Sequence, residues 1–211
     1  VSNNDSGRAS YKYGPMQRYV RSLRVVLANG EMIETGRISK RELNKKLGLA
    51  SFEGEIYRSL DKLIEESYSS LEKQSTITNH SAAGYNLSDV KQKDGSFDLT
   101  ALFVGGQGTL GIITEITLET EPYNPAQDLL VAGFATRAEA WQAVNALNTL
   151  KQGPSSIDFI DRSLLKTIEA QNPALLSPLE GGMPEVLLFI NIDDDVSRIR
   201  KKLEKKVTKI L

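Results

Sequence analysis

A chain of 211 residues, 40% hydrophobic and 25% charged, can bury one large core or two small ones and has an ordinary globular composition. Its formal net charge of -1 argues against bulk attraction to nucleic acid or anionic membrane. The absence of cysteine excludes disulfides, thiolate-ligated iron–sulfur clusters and a cysteine nucleophile within it. A single histidine, His80, excludes a histidine metal cluster, leaving carboxylates as ligands for a hard cation.

The polar, glycine-bearing stretch Val1–Gly14 reads as a succession of turns. Leu23–Leu27 and Met32–Thr35 flank Asn29-Gly30, which predicts a tight hairpin. Ser39-x-x-Glu42 is a capping box ahead of a short basic helix, and Ile56, Leu60, Leu63 and Ile64 recur at helical spacing over 55–66. Residues 39–71 therefore form a helical insert between sheet elements. Residues 75–97 are polar and turn-rich, with Asp94-Gly95 at a loop tip. From Leu110 the period changes to two, placing Leu110, Ile112, Thr114, Ile116 and Leu118 on one strand face. Glu121-Pro122 and Asn124-Pro125 mark a domain boundary.

Beyond the boundary, 128–135 reads as a strand. Thr136-x-x-Glu139 caps a helix with the apolar stripe Ala138, Trp141, Val144 and Leu147. A strand at 156–160, a helix at 162–170 and a strand at 185–192 follow. Asp195 or a neighbour caps a last helix with Val196, Ile199, Leu203, Val207 and Ile210 on one face. This order is a ferredoxin-like layout lacking its final strand. The fold class expected is α+β, with one domain over 1–121 and an incomplete ferredoxin-like domain over 126–211.

No apolar run is long enough to span a membrane, and Val1 opens no signal pattern. With the unfinished last domain, this reads as an excised piece of a longer cytoplasmic protein; peripheral attachment of that protein to a membrane is left open.

Gly106-Gln107-Gly108-Thr109-Leu110-Gly111 satisfies G-x-G-x-x-G letter for letter. The dinucleotide fingerprint needs a helix next, so that its N-terminus faces the pyrophosphate. Ile112-Ile113-Thr114-Glu115-Ile116-Thr117 is instead a β-branched strand former. A nicotinamide site is not expected. Taken alone, the glycines read as a turn entering a strand, or as backbone left open to a ligand.

Three stretches together resemble a known family. Val104-Gly105-Gly106-Gln107-Gly108-Thr109-Leu110-Gly111-Ile112-Ile113-Thr114 is similar to the G-S-E-G-T-L-G-I-x-T block of FAD-linked oxidases, the glycolate oxidase and D-lactate dehydrogenase group within the vanillyl-alcohol-oxidase (PCMH-type) superfamily. Asn3-Asn4-Asp5-Ser6-Gly7 with Lys12-Tyr13-Gly14 resembles its N-x-S-G…K-Y-G segment, and Val25–Glu31 its V-V-L-A-D-G-E hairpin. Ala83-Gly84-Tyr85-Asn86-Leu87 resembles its S/A-G-Y-x-L element. The motifs keep the family's order over nearly the whole chain.

The resemblance implies the second half of an FAD-binding domain, then part of the cap domain. It implies a small 2-hydroxy acid substrate, D-lactate or glycolate in type, oxidised by hydride transfer to non-covalent FAD, with an unknown electron acceptor and no nucleic-acid partner. Asn3, Asn4, Ser6 and Gly7 would follow the ribityl chain and pyrophosphate, with Gly14 closing that segment. Gly105, Gly106, Gly108, Thr109 and Gly111 would pass close to the cofactor, Ile112 and Ile113 would offer backbone contacts, and Tyr85 would approach the isoalloxazine or pack in the core. Gln107 and Gly106 depart from the family's Glu and Ser. The family's upstream phosphate loop and its later histidine motif are not in this sequence. No residue here is nominated as the catalytic base; His80, in a polar loop, reads better as a solvated histidine than as a base or a covalent flavin anchor.

Two other readings compete. One is a degenerate flavin fold serving as a non-catalytic binding module, hinted at by Gln107. The other uses the basic run Arg198, Arg200, Lys201, Lys202, Lys205, Lys206 and Lys209, which suits anionic lipid or nucleic acid but, under a balanced net charge, reads first as a solvated face.

Overall fold

The computed structural model describes residues 1–74, 84–177 and 182–211. The chain divides into two units, Val1–Ser6 with Gly14–Glu121 and Gly7–Tyr13 with Pro122–Leu211. Residues 7–13, which sequence places with the first domain, pack with the second. Within them lies the short helix α1 (Ser10–Tyr13).

The first unit is built on β1 (Val20–Val26), which pairs antiparallel with β2 (Met32–Glu34). At their turn Gly30 has φ +84° while Asn29 stays at negative φ, and Leu27 N–H donates to Glu31 O at 2.8 Å. The connection is therefore the longer turn closed by a glycine bulge, not a two-residue Asn-Gly turn. β3 (Arg37–Ile38) precedes α2 (Lys40–Leu47), capped by Ser39 and Glu42 through the predicted reciprocal hydrogen bonds. α3 (Phe52–Gln74) buries Tyr57 and Ile64. β4 (Phe97–Asp98) pairs with β3, and α4 (Thr100–Phe103) leads into the glycine loop. The core includes Leu23, Val25, Ile33, Tyr57, Val90, Phe97 and Leu99, with the Tyr57 and Phe97 rings 5.6 Å apart.

β5 (Ile112–Leu118) pairs with the other edge of β1, in the order β2-β1-β5. Strict alternation along β5 does not hold. The register passes from Val25↔Ile113 to Arg24↔Glu115, leaving Thr114 unpaired, and from Ser22↔Thr117 to Val20↔Leu118, leaving Arg21 unpaired. Each irregularity changes which residues share a side. Ile113 packs on the core and Ile116 stands opposite buried Leu23, whereas Ile112 is exposed.

In the second unit β6 (Gln127–Phe134), β7 (Ser156–Asp161) and β8 (Val186–Asp193) form an antiparallel sheet ordered β6-β8-β7. α5 (Arg137–Asn148) follows β6, α6 (Arg162–Gln171) follows β7 and α7 (Ser197–Thr208) follows β8. This is the central-strand arrangement of a ferredoxin-like sheet. α5 and α7 pack on the face carrying Leu188, Ile190 and Ile192.

Two helix details differ from the pattern read in sequence. α5 buries Ala140, Ala143 and Leu147, while Trp141 is 64% exposed; the sheet selects a stripe rotated away from the tryptophan. α7 begins at Ser197 with Val196 in the capping position and no side-chain cap; Asp194, not Asp195, accepts a hydrogen bond from Val196 N–H. The Thr136–Glu139 box is present. Thr136→Ala is expected to destabilise the second unit by about 1 kcal/mol, and Thr136→Ser to restore most of it. Urea titration followed by helical circular dichroism measures this; equal midpoints for Thr136→Ala and the parent would remove the cap's contribution.

Candidate functional site

The first unit joins the opening segment to the glycine loop through main-chain hydrogen bonds. Gly105 N–H donates to Val1 O at 3.1 Å and Gln107 N–H to Ser2 O at 2.9 Å. Val1 O also accepts from Asn4 N–H at 2.9 Å. Asn4 is buried, with φ +48°, and its Oδ1 accepts from Gln17 N–H at 2.9 Å. A left-handed asparagine with its amide spent inside is a fixed corner. It holds the segment's shape, while Asn3 and Ser6 remain exposed, with no side-chain hydrogen bond among the described residues.

Each glycine of the loop does something different. Gly105 (φ +82°) lies so near Asn4 that a Cβ would sit 3.2 Å from the Asn4 Cβ. A Cβ on Gly106 would come 2.9 Å from Leu102 O, so the serine usual in the family requires a shift here. Gly108 (φ +75°) has nothing within 4 Å of the place a Cβ would occupy, and its N–H is unspent among the described residues. Gly111 faces inward, where a Cβ would meet Val25 Cγ1 at 2.6 Å and Val26 O at 2.7 Å. Gln107 adopts φ +51° and contributes through its main chain, so replacing the family's Glu leaves this join intact.

Thr109 Oγ1 donates to Gly106 O at 2.6 Å. Its only proton is thereby used, so Tyr85, whose hydroxyl lies 2.8 Å away, is the donor in their contact. Tyr85 is 51% exposed, which rules out core packing. Ile112 is exposed beside the loop, while Ile113 is held against the core. β5 follows the glycines directly, so no helix N-terminus faces them. His80 and Ala83 lie outside the described residues.

Gly7 belongs to the second unit, where its N–H donates to Ser10 Oγ at 2.9 Å. There Lys12 and Tyr13 converge on Asp193, whose side chain is 8% exposed. Lys12 Nζ is 2.5 Å from Oδ1 and 3.1 Å from the Asp193 carbonyl, and Tyr13 Oη donates to Oδ2 at 2.6 Å. Burial alone would lower the Lys12 pKa; the Asp193 carboxylate outweighs it, and the net shift is upward. Arg8 pairs with Asp158 at 2.8 Å. Lys12 and Tyr13 thus anchor residues 7–13 to the second sheet. Sequence could not show Asp193 as their partner, because it lies some 180 positions away with no local signal. Gly14, with φ +85°, turns the chain after this anchor. Among the described residues no three acidic or histidine side chains converge as metal ligands.

The chain is 27% identical over 97% of its length to the glycolate oxidase subunit GlcD of Bacillus subtilis, covering 32% of that protein. It is 27% identical over 78% of its length to D-2-hydroxyglutarate dehydrogenase of Pseudomonas putida, covering 16%. The cytochrome-type D-lactate dehydrogenase 1 of Saccharomyces cerevisiae is 21% identical over 89% of the chain, which covers 25% of it. The chain is a homologue of the FAD-linked 2-hydroxy acid dehydrogenases and oxidases. It spans about a third or less of the length of these relatives. No protein-family model matches it. Among solved structures, alkyldihydroxyacetonephosphate synthase superposes on the whole chain with a TM-score of 0.57 at 17% identity, this chain covering 30% of it. The α+β architecture with antiparallel sheets matches the fold of that synthase.

Proposed function

We propose that the chain contributes part of an FAD site to a protein that oxidises a small 2-hydroxy acid of the D-lactate, glycolate or D-2-hydroxyglutarate type. The observation that carries this reading is the joined pair of loops, Val1–Ser6 and Gly105–Thr109, which keep their motifs in a homologue of enzymes named for those substrates.

The chemistry of the loops fits a flavin's oxygen-rich chain. They offer neutral donors: the open N–H of Gly108, the amide of Asn3 and the hydroxyl of Ser6. Gly108 lets backbone approach a ligand that a side chain would hold away. Gly105 and Asn4 are the packed corner that positions both loops, and Gly111 and Ile113 tie the loop's end to β1. Tyr85, oriented by Thr109, presents its hydroxyl oxygen at the same place as an acceptor. FAD, when bound, supplies the acceptor for the substrate's hydride. The residues of this chain bind and orient; none of them is assigned the substrate's proton.

The test begins with the visible absorption spectrum of the longer parent protein, purified without added cofactor. A flavin double band, released as FAD on denaturation, is the expected result. Gly108→Val, which fills the open approach, is expected to reduce FAD retention at least about tenfold with the far-ultraviolet spectrum unchanged. A parent that stays colourless after incubation with FAD overturns the reading and promotes the non-catalytic binding module.

A further inference from the structure

We infer that Gln17 is a positioning residue of the proposed FAD site: by clasping Asn4 and holding Asp89, it fastens the segment that carries Tyr85 against the two flavin loops. The inference rests on the reading of Val1–Ser6 and Gly105–Thr109 as those loops. Gln17 lies in a single 3-10 turn, Met16–Tyr19, just ahead of β1. Met16 N–H donates to Asp5 O at 3.1 Å, so the turn is seated on the opening segment. The main-chain N–H of Gln17 donates to Asn4 Oδ1 at 2.9 Å, and its Oε1 accepts from Asn4 Nδ2 at 3.4 Å. Its Nε2 reaches Asp89 Oδ2 at 3.1 Å. Asn4 is buried, and no buried side-chain nitrogen or oxygen among the described residues lacks a partner. Truncating Gln17 would take from Asn4 Nδ2 the acceptor it has here, and a buried donor left unpaired is more costly than a lost surface bond.

Asp89 extends this clasp into a tie between distant segments. Its Oδ2 also accepts from Asn86 Nδ2 at 2.7 Å, and Asn86 follows Tyr85 in the chain. Residues 84–90 belong to no strand or helix, so side chains must hold them in place. The far end is fixed: Leu87 packs on the core, Val90 is fully buried, and Lys91 Nζ pairs with Asp61 of α3 at 2.7 Å. The Tyr85 end is held to the rest of the unit by two contacts, Tyr85 Oη with Thr109 Oγ1 and Asp89 with Gln17. The hydrogen bonds close a circuit. It runs from Asn4 through Gln17 and Asp89 to Asn86, from Tyr85 to Thr109, and from the glycine loop back to Val1 and Ser2. Segments 1–6, 84–89 and 105–109 are thereby joined pairwise, and Gln17 makes the join between the first two. A bond that closes such a ring orders partners already held near one another, so little entropy opposes it.

Hydrogen exchange of this chain, followed by mass spectrometry, reads the tie without any cofactor. Gln17→Ala is expected to speed exchange in peptides covering 84–92 and 104–109 by about three- to tenfold, the effect of one or two hydrogen bonds, with β6, β7 and β8 unchanged. Gln17→Glu keeps an acceptor for Asn4 but sets a carboxylate against Asp89, and should also speed exchange in 84–92. Adding Asp89→Asn removes that repulsion and is expected to recover most of the loss, which a general loss of stability would not allow. In the longer parent, Gln17→Ala and Gln17→Glu are each expected to lower FAD retention by about three- to tenfold, and Gln17→Glu with Asp89→Asn to regain it. Unchanged exchange in Gln17→Ala overturns the inference, as does a rise that extends equally to the second unit. Faster exchange with unchanged FAD retention overturns it too, because the segment would then lie outside the site. A parent that holds no FAD refutes the flavin reading and this role with it; a flavin-bearing parent indifferent to Gln17 refutes the role alone.

Discussion

Gly111→Ala is expected to lower the stability of the first unit by about 2–3 kcal/mol, the cost of overpacking a site with no room to relax. A methyl group there would sit 2.6 Å from Val25 Cγ1 and 2.7 Å from Val26 O. Neither neighbour can retreat. Val25 is fully buried, and β1 is paired on both edges, to β2 and to β5. The substitution must therefore move the start of β5 and, with it, the end of the glycine loop. A lower urea midpoint should be accompanied by at least about tenfold weaker FAD retention in the longer parent. Gly7→Ala is the control: nothing lies within 4 Å of its added methyl, and it should change the midpoint little. An unchanged midpoint for Gly111→Ala would show that the strand is not pinned at this point.

Raising pH is expected to destabilise the same unit through Tyr57. Its phenol is 1% exposed, and burial, then the nearby Glu53 and Asp98 carboxylates, push its pKa up to about 12. The unfolded chain's tyrosine ionises near 10. Because the folded value is the higher one, Tyr57's contribution is complete below pH 10 and is lost as pH rises toward 12. The two-unit difference corresponds to about 2–3 kcal/mol. Urea midpoints measured from pH 8 to the alkaline limit should fall for the parent and fall less for Tyr57→Phe, which cannot ionise. Lys12, Lys91, Tyr11, Tyr13 and Tyr19 are also shifted upward, so the comparison with Tyr57→Phe isolates this one group. Parallel curves for the two proteins would assign the alkaline loss to those other residues.

Much of the architecture was legible in residue order alone. The Ser39–Glu42 and Thr136–Glu139 boxes depend on bonds reaching no further than about four residues. The strand following the glycines and the alternation of strands and helices after Pro122 are marked by local residue type and periodicity, although their ladders are long-range. The motifs of the candidate FAD loops were legible for the same reason. Their joining was not: Gly105 meets Val1 across a hundred positions, and Asp193 meets Lys12 and Tyr13 across almost the whole chain. Residues 7–13 belong to the second unit because that distant carboxylate and Asp158 hold them there.

Periodicity likewise showed that β5 and α5 exist but not which side of each is buried. Two register shifts against β1 decided which β5 side chains meet the core, and the sheet beneath α5 took the alanine stripe and left Trp141 outside. The basic run of α7 was legible as a solvated face, but not that Arg200 leaves it to pair with Asp128 of β6. Local hydrogen-bond geometry is written within one or two turns of chain. Register, burial and charge placement are pair properties, set only when segments far apart in sequence compete for the same face.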